Sequence, residues 1–308
     1  LRVIQEEIAA RFDAEVSLVQ IVRSELNERA ATLPLYRRLL RKVDPACLAL
    51  VVSYGRETLI EAAHELSIPV IELQHGAGVI NRQHPGYHYP EAYPKRTFPD
   101  YLLTWGGFWS QNAIVPIPDE RVIAVGYPYL DARIARYDTI AKRDQLVLIS
   151  QGTVGERLSQ LAVACAADTR ISDAVVYKLH PGEVDRWRGA YPWLLDSGVT
   201  VIDGQSPSLY ELFAQSRAQV GVASTAIYEG LCFDLETYVY DIDGASHLMP
   251  LINKGAAKVI DSVDALAAQI GRGADTFDRE HYFAADARVT TRETLERLMA
   301  TGTVYERY

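Results

Sequence analysis

The chain has 308 residues, 48% of them apolar and 23% charged, with a formal net charge of −9 and a pI near 5.3. That balance excludes a disordered chain and argues against a nucleic-acid binder, which would carry a basic face. The length suffices for two domains of ordinary size. Cys47, Cys165 and Cys232 lie far apart in apolar runs with no CxxC pair, so buried free thiols are expected rather than a disulfide framework. No apolar run approaches the roughly 18–20 residues of a membrane span and no signal-peptide pattern opens the chain, so a cytoplasmic protein is the expectation.

Residues 4–28 have helical periodicity, with Ile4, Ile8, Phe12, Val16, Val19 and Val22 on one face. A second, short helix over 33–42 carries Pro34 near its start and the bases Arg37, Arg38, Arg41 and Lys42. Those bases read as a solvated face or as a segment for peripheral association with the inner face of a membrane. A strand over 47–53, a helix over 57–66 and a strand over 68–73 then form one βαβ unit with parallel strands. Its ligand-facing end is Gln74-His75-Gly76-Ala77-Gly78. The stretch 81–100, rich in Pro and Tyr, reads as a functional loop lined by Tyr87, Tyr89, Tyr93 and Phe98. Short strands over 101–105 and 121–125 complete the first half.

The domain change is expected within 127–144, which places an N-terminal domain over 1–135 and a C-terminal domain over 136–308. Strands over 146–150, 174–179, 199–202, 218–222 and 237–241 alternate with helices over 155–167, 183–190, 207–215 and 225–231. This is the pattern of a doubly wound nucleotide-binding domain. Further helices fall at 262–271 and 290–300.

The chemistry concentrates at predicted strand ends. Val175-Val176-Tyr177-Lys178-Leu179-His180-Pro181 delivers Lys178 and His180 on one face, and Pro181 fixes the turn that aims the histidine at an anion. Ser224 and Thr225 open a helix beyond another strand and suit a phosphate; Glu229, about one turn on, is placed for a ribose hydroxyl. A capping box is the competing reading, though Thr225 and Glu229 are four apart where a box wants three. Ser150-Gln151-Gly152-Thr153 opens a helix whose amides can face an anion, or is an ordinary turn capped by Thr153. Ser206 reads as an N-cap with Pro207 at the first helical position, its backbone within reach of a nucleobase. In the first half, Glu72 and His75 share a strand end, and His75 is a natural general base for a hydroxyl. His84, Tyr87 and Tyr89 are candidates for an acceptor site. His84 and His88 have no acids in ligand pattern beside them, so neither metal nor cofactor is expected.

Lys178-Leu179-His180-Pro181 with Ser224-Thr225 and Glu229 resembles the HP and Ser-Ser/Thr motifs of GT-B glycosyltransferases that use CMP-activated sugars, such as bacterial sialyltransferases, and of CDP-glycerol glycerophosphotransferases. Gln74-His75-Gly76 is similar to the Trp-His-Gly histidine motif of the latter, with Gln for Trp; the sialyltransferases carry an acidic motif there. The resemblance spans about two thirds of the chain. It implies two Rossmann-like domains facing across a cleft, with a CMP- or CDP-linked donor on the second domain and a glycan acceptor between the two. His75 would be the base, with Glu72 beside it. His180, Ser224 and Thr225 would hold the donor phosphate. The alternatives are a nucleotide-sugar epimerase or hydrolase of the same fold and a non-catalytic nucleotide-sugar binding module.

Overall fold

The computed structural model describes residues 1–81, 84, 86–87 and 97–300. By contacts the chain forms two compact units, the first comprising Leu1–Trp105, Trp109–Val125 and Thr290–Tyr308, the second Gly106–Phe108 and Gly126–Val289. The first unit therefore ends earlier than residue 135 and regains the last helix, because Leu295 and Leu298 pack with Ile71, Tyr101, Leu103 and Val125. Gly126, where the chain enters the second unit, has φ +87 and no space for a Cβ against Ala284 and Ala287. Only glycine meets both demands.

The first unit holds a parallel sheet of four strands in consecutive order: β1 (Leu48–Leu50), β2 (Val70–Leu73), β3 (Tyr101–Thr104) and β4 (Val122–Ala124). Successive residues of β2 point to opposite faces. Val70 joins Leu33, Leu40, Ile60 and Ala63 on one side, and Ile71 joins the Leu298 cluster on the other. The predicted βαβ unit is present and parallel, Leu48 standing opposite Val70.

The N-terminal helices differ from expectation. One helix runs Arg2–Phe12 and ends on Asp13 in the left-handed region; the next, capped by Ser17, runs Leu18–Val43 straight through Pro34. Packing overrides the missing proline N–H. Leu33 and Leu40 enter the core on either side of Pro34, and Arg29 and Arg37 pair with Glu61 and Glu65 of the neighbouring helix. The predicted apolar face of the first helix is not covered: none of its residues is buried. No helix among the described residues is long and apolar enough to cross a membrane.

The second unit holds six parallel strands, β5 (Gln145–Ile149), β6 (Ala174–Lys178), β7 (Thr200–Ile202), β8 (Ala218–Gly221), β9 (Glu236–Tyr240) and β10 (Lys258–Ile260), in the order β10-β9-β8-β5-β6-β7. This is the doubly wound order, reversing direction between β5 and β8. The sixth strand, β10, is absent from the sequence reading, although the turn signal Asn253-Lys254-Gly255 precedes it. All three cysteines are free, and only Cys165 is fully buried.

A charged cluster anchors this sheet. Arg217, just before β8, donates Nη2 to Asp173 Oδ2 at 2.6 Å and a second bond from Nε to the other oxygen, and it also faces Glu236. The Asp173 side chain has no exposed surface. Removing one partner of such a pair leaves a buried charge uncompensated. Arg217→Ala should therefore lower the unfolding free energy by about 3 kcal/mol in denaturant titration, and a loss below about 1 kcal/mol would show the pair to behave as a surface one.

Candidate functional site

In the second unit the connections leaving β5 and β8 diverge, and such a reversal opens a ligand crevice at the strand C-termini. Gln151, directly after β5, bridges the two: its Oε1 accepts the Ala223 N–H beyond β8 at 3.0 Å. The helix after it, Gly155–Ala167, has Val154 at its N-cap and no side-chain cap, so Thr153 does not cap it. Its first amides stay available beside the exposed Gly152 and Thr153.

β6 ends at Lys178, and His180 caps the single turn Pro181–Glu183 in a capping box. The Gly182 N–H donates to His180 Nδ1 at 3.2 Å, so the neutral ring carries its proton on Nε2. The residue is exposed, and Nε2 is the ring nitrogen that this bond leaves as a donor. Behind it, the His180 backbone N–H donates to Glu183 Oε2 at 3.0 Å and Tyr191 donates to Oε1 at 2.6 Å. Glu183 is fully buried, and it raises the Tyr191 phenol, already pushed up by burial, to about 12. A Cβ on Gly155 would lie 2.2 Å from both Glu183 Oε1 and Tyr191 Oη. The glycine is demanded by this carboxylate.

Other predicted residues stand differently. Lys178 donates Nζ to the Gly204 carbonyl at 2.5 Å and ties down the loop after β7; burial lowers its pKa. One of its three N–H donors is thus spent on the backbone. Ser224 Oγ accepts the Ala226 N–H at 3.2 Å, Thr225 caps Ala226–Leu231 without a side-chain bond, and the capping-box reading fails. Glu229 is buried, and its Oε2 accepts the Tyr210 hydroxyl at 2.7 Å. Burial raises its pKa against the opposing phenol. A ribose would have to displace or share that partner. Ser206 is not an N-cap: Ser206-Pro207 is a cis peptide, and Ser208 caps Leu209–Gln215, its Oγ accepting the Glu211 N–H at 3.2 Å.

In the first unit, His75 follows β2 and Tyr54 follows β1. Tyr54 Oη and His75 Nε2 are 3.2 Å apart, and the Tyr54 ring also meets those of His84 and Tyr87, with centroids at 5.1 and 5.8 Å. His75 is exposed, yet packing around its ring lowers its pKa, helped by His84 and opposed by a backbone hydrogen bond at Val51. It is neutral, hence basic, at neutral pH. Gln74 is a staple rather than a ligand: its amide donates to the Gly76 carbonyl at 3.1 Å and its oxygen accepts the Trp105 N–H at 2.9 Å.

Glu72 and Tyr87 lie beneath this surface and touch no open space. Both are buried, and Tyr87 donates to Glu72 Oε1 at 2.6 Å. Burial raises the Glu72 pKa against opposing contacts from Ser53 and Tyr87, while Oε2 and Ser53 Oγ lack a well-formed hydrogen bond. Glu72 cannot serve as a catalytic acid in contact with substrate, nor Tyr87 as an acceptor contact. His84 remains partly exposed, its Nδ1 accepting the Gly86 N–H at 3.1 Å. Tyr89 falls outside the described residues. Sequence reading misses Tyr54, whose one signal is its place before Gly55, just past the apolar run of β1.

A scan against protein-family models and a search of curated proteins found no match. Solved structures do match. The UDP-GlcNAc 2-epimerase from Methanocaldococcus jannaschii aligns with TM-score 0.61 and 13% identity over 87% of this chain and 82% of that one. The UDP-GlcNAc 2-epimerase from Neisseria meningitidis, bound to UDP-GlcNAc, aligns with TM-score 0.61 and 17% identity over 87% and 81%. A glycosyltransferase from Rickettsia africae aligns with TM-score 0.51 and 14% identity over 90% and 82%.

Two stability outcomes follow from the buried carboxylates. Gly155→Ala should destabilise the fold by about 1–3 kcal/mol in chemical denaturation, although alanine is the better helix former by about 1 kcal/mol. A stabilised variant would refute the close approach. Glu72 has a raised folded pKa, so its favourable contribution is present below the unfolded value of about 4.3 and is lost as pH rises through the folded value. Glu72→Gln should therefore gain on the wild type as pH rises from about 4.3 through the folded value and hold that gain above it, and parallel stability curves would contradict the burial argument. At these identities the likeness to solved structures is one of fold, and the chain carries the GT-B fold, with two parallel-sheet α/β units.

Proposed function

We propose that the protein is an enzyme acting on a nucleotide-activated sugar, and that it transfers the sugar or a polyol phosphate to an acceptor hydroxyl in glycan synthesis. The observation that carries this reading is the exposed His180, its Nδ1 held by Gly182 and its Nε2–H left as a donor, beside a sheet reversal bridged by Gln151. Fixed donors at such an edge suit a phosphate without further reorganisation. His75 of the first unit supplies the base. It takes the acceptor proton, the acceptor oxygen forms its bond to the activated atom, and the bond to the nucleotide phosphate breaks. His180, the Ser224 and Thr225 hydroxyls and the amides after Val154 receive the departing negative charge. Glu229 holds the ribose once Tyr210 yields or shares its oxygen. A CMP- or CDP-linked donor follows the HP-type motif. His84 contributes to acceptor binding, and the basic residues Arg38, Arg41 and Lys42 are those that would meet a membrane surface.

A second reading, nucleotide-sugar epimerase, is favoured by the likeness to several 2-epimerases at higher TM-score than the glycosyltransferase. Both readings use a nucleotide site on the second unit and a base on the first. They part on the acceptor: an epimerase inverts a nucleotide sugar alone, and a transferase releases nucleotide only when an acceptor is supplied.

Calorimetry with CMP, CDP, UMP, UDP and GDP should find binding to the wild type that His180→Ala weakens by about tenfold or more. Unchanged affinity would remove His180 from the site. His75→Ala should retain nucleotide affinity and lose about 10²- to 10⁴-fold in turnover. The acidic limb of the wild-type rate profile should fall below pH 6.5, the ordinary histidine value that packing depresses here. Full turnover by His75→Ala would leave the first unit without its base.

A further inference from the structure

Arg186 lies just beyond the capping turn of His180 and is exposed. A Cβ on Gly152 would stand 3.4 Å from its Nη2, so its guanidinium comes to the turn after β5. It makes no ion pair among the described residues, unlike Arg188 nearby, which donates to Asp203 at 3.1 Å. The other cation of this edge, Lys178, holds the Gly204 carbonyl with one of its three N–H donors and lacks a planar fork.

The donors consequently fall into two groups. His180, on the β6 side, presents one N–H fixed through Gly182. Arg186 offers a planar fork over Gly152, on the β5 side, where the uncapped first turn of Gly155–Ala167 begins. A single phosphate is satisfied by the first group together with hydroxyls. A guanidinium fork matches two oxygens of a second phosphate and supplies the permanent charge that an added phosphate calls for.

We infer that Arg186 closes a second anion position over the Gly152 turn, so that the site takes a nucleoside diphosphate in preference to a nucleoside monophosphate. This rests on the reading of the edge as a nucleotide site, and it separates diphosphate-linked donors from CMP-linked ones.

The test is calorimetric, with CMP against CDP and UMP against UDP, on wild type, Arg186→Ala and Arg186→Lys, each variant checked by its melting temperature. Wild type should bind the diphosphate of a pair at least about tenfold more tightly. Arg186→Ala should bring the two members of a pair within about twofold by weakening the diphosphate alone, with the lysine variant between. If all nucleotides bind but the mono- to diphosphate ratio is near one, or Arg186→Ala weakens both members equally, this inference is overturned and the nucleotide site stands. Binding of no nucleotide to the wild type overturns both.

Discussion

The second unit's candidate site depends on one buried carboxylate. Glu183 has no solvent contact and spends one oxygen on the His180 backbone N–H and the other on the Tyr191 hydroxyl. A buried charge must be met in this way or be expelled. Meeting it sets the direction in which His180 leaves β6, the placement of Pro181 and Gly182, and the need for glycine at 155. The Gly182 N–H on Nδ1 then selects the tautomer. A histidine at a strand end thereby becomes an oriented donor, although nothing about the ring itself demands that orientation.

The first unit repeats the principle with a different outcome. Glu72 is also buried, but only one of its oxygens makes a well-formed hydrogen bond. Its raised pKa follows from burial, which contacts with Ser53 and Tyr87 oppose, since a proton on the carboxyl removes a charge that has lost its water. Tyr87, fixed by Glu72, is one wall of the aromatic group that carries Tyr54 against His75. The acid is thus a support for the base and takes no place beside it. Conservative removal of its charge is tolerable in a way that removal of Glu183 is not, because Glu183 accepts from two donors that would both be stranded.

Most of the fold is legible in the sequence, since buried parallel strands are continuous apolar runs and strand-turn-helix alternation implies a doubly wound sheet. The failures have identifiable causes. Pro34 reads as a helix start, but Leu33 and Leu40 hold the helix through it. Pro207 after Ser206 likewise reads as a first helical residue, whereas Ser208 caps and Pro207 precedes the helix in a cis peptide. For the candidate site, His75, His180, Gln151 and Ser224 stand out in the sequence because strand ends are where a parallel sheet exposes side chains. Tyr54 and Arg186 are not, since each owes its place to a neighbour in a different segment. Burial was the other blind spot. Period-two alternation shows on which face Glu72 lies, but not that Tyr87 of a distant loop covers it.

The GT-B scaffold accommodates both transfer and epimerisation, so what distinguishes them is local to the first unit. On the function proposed above, the second unit does the same work in either case, accepting charge on a departing nucleotide, and the first supplies the base. Transfer further asks that a hydroxyl from a second molecule reach that base; epimerisation asks that a ring carbon of the donor itself do so. The His75 ring carries Tyr54 on Nε2 at a length of 3.2 Å, near the limit of a hydrogen bond, and the residue is otherwise exposed. An incoming hydroxyl can replace the phenol at that nitrogen with little loss, because it brings the same kind of donor. A carbon acid brings no hydrogen bond to compensate for the one it displaces. For His75 in the proposed role of base, this environment suits an oxygen nucleophile better than a carbon acid, and the preference is encoded in Tyr54 more than in the histidine.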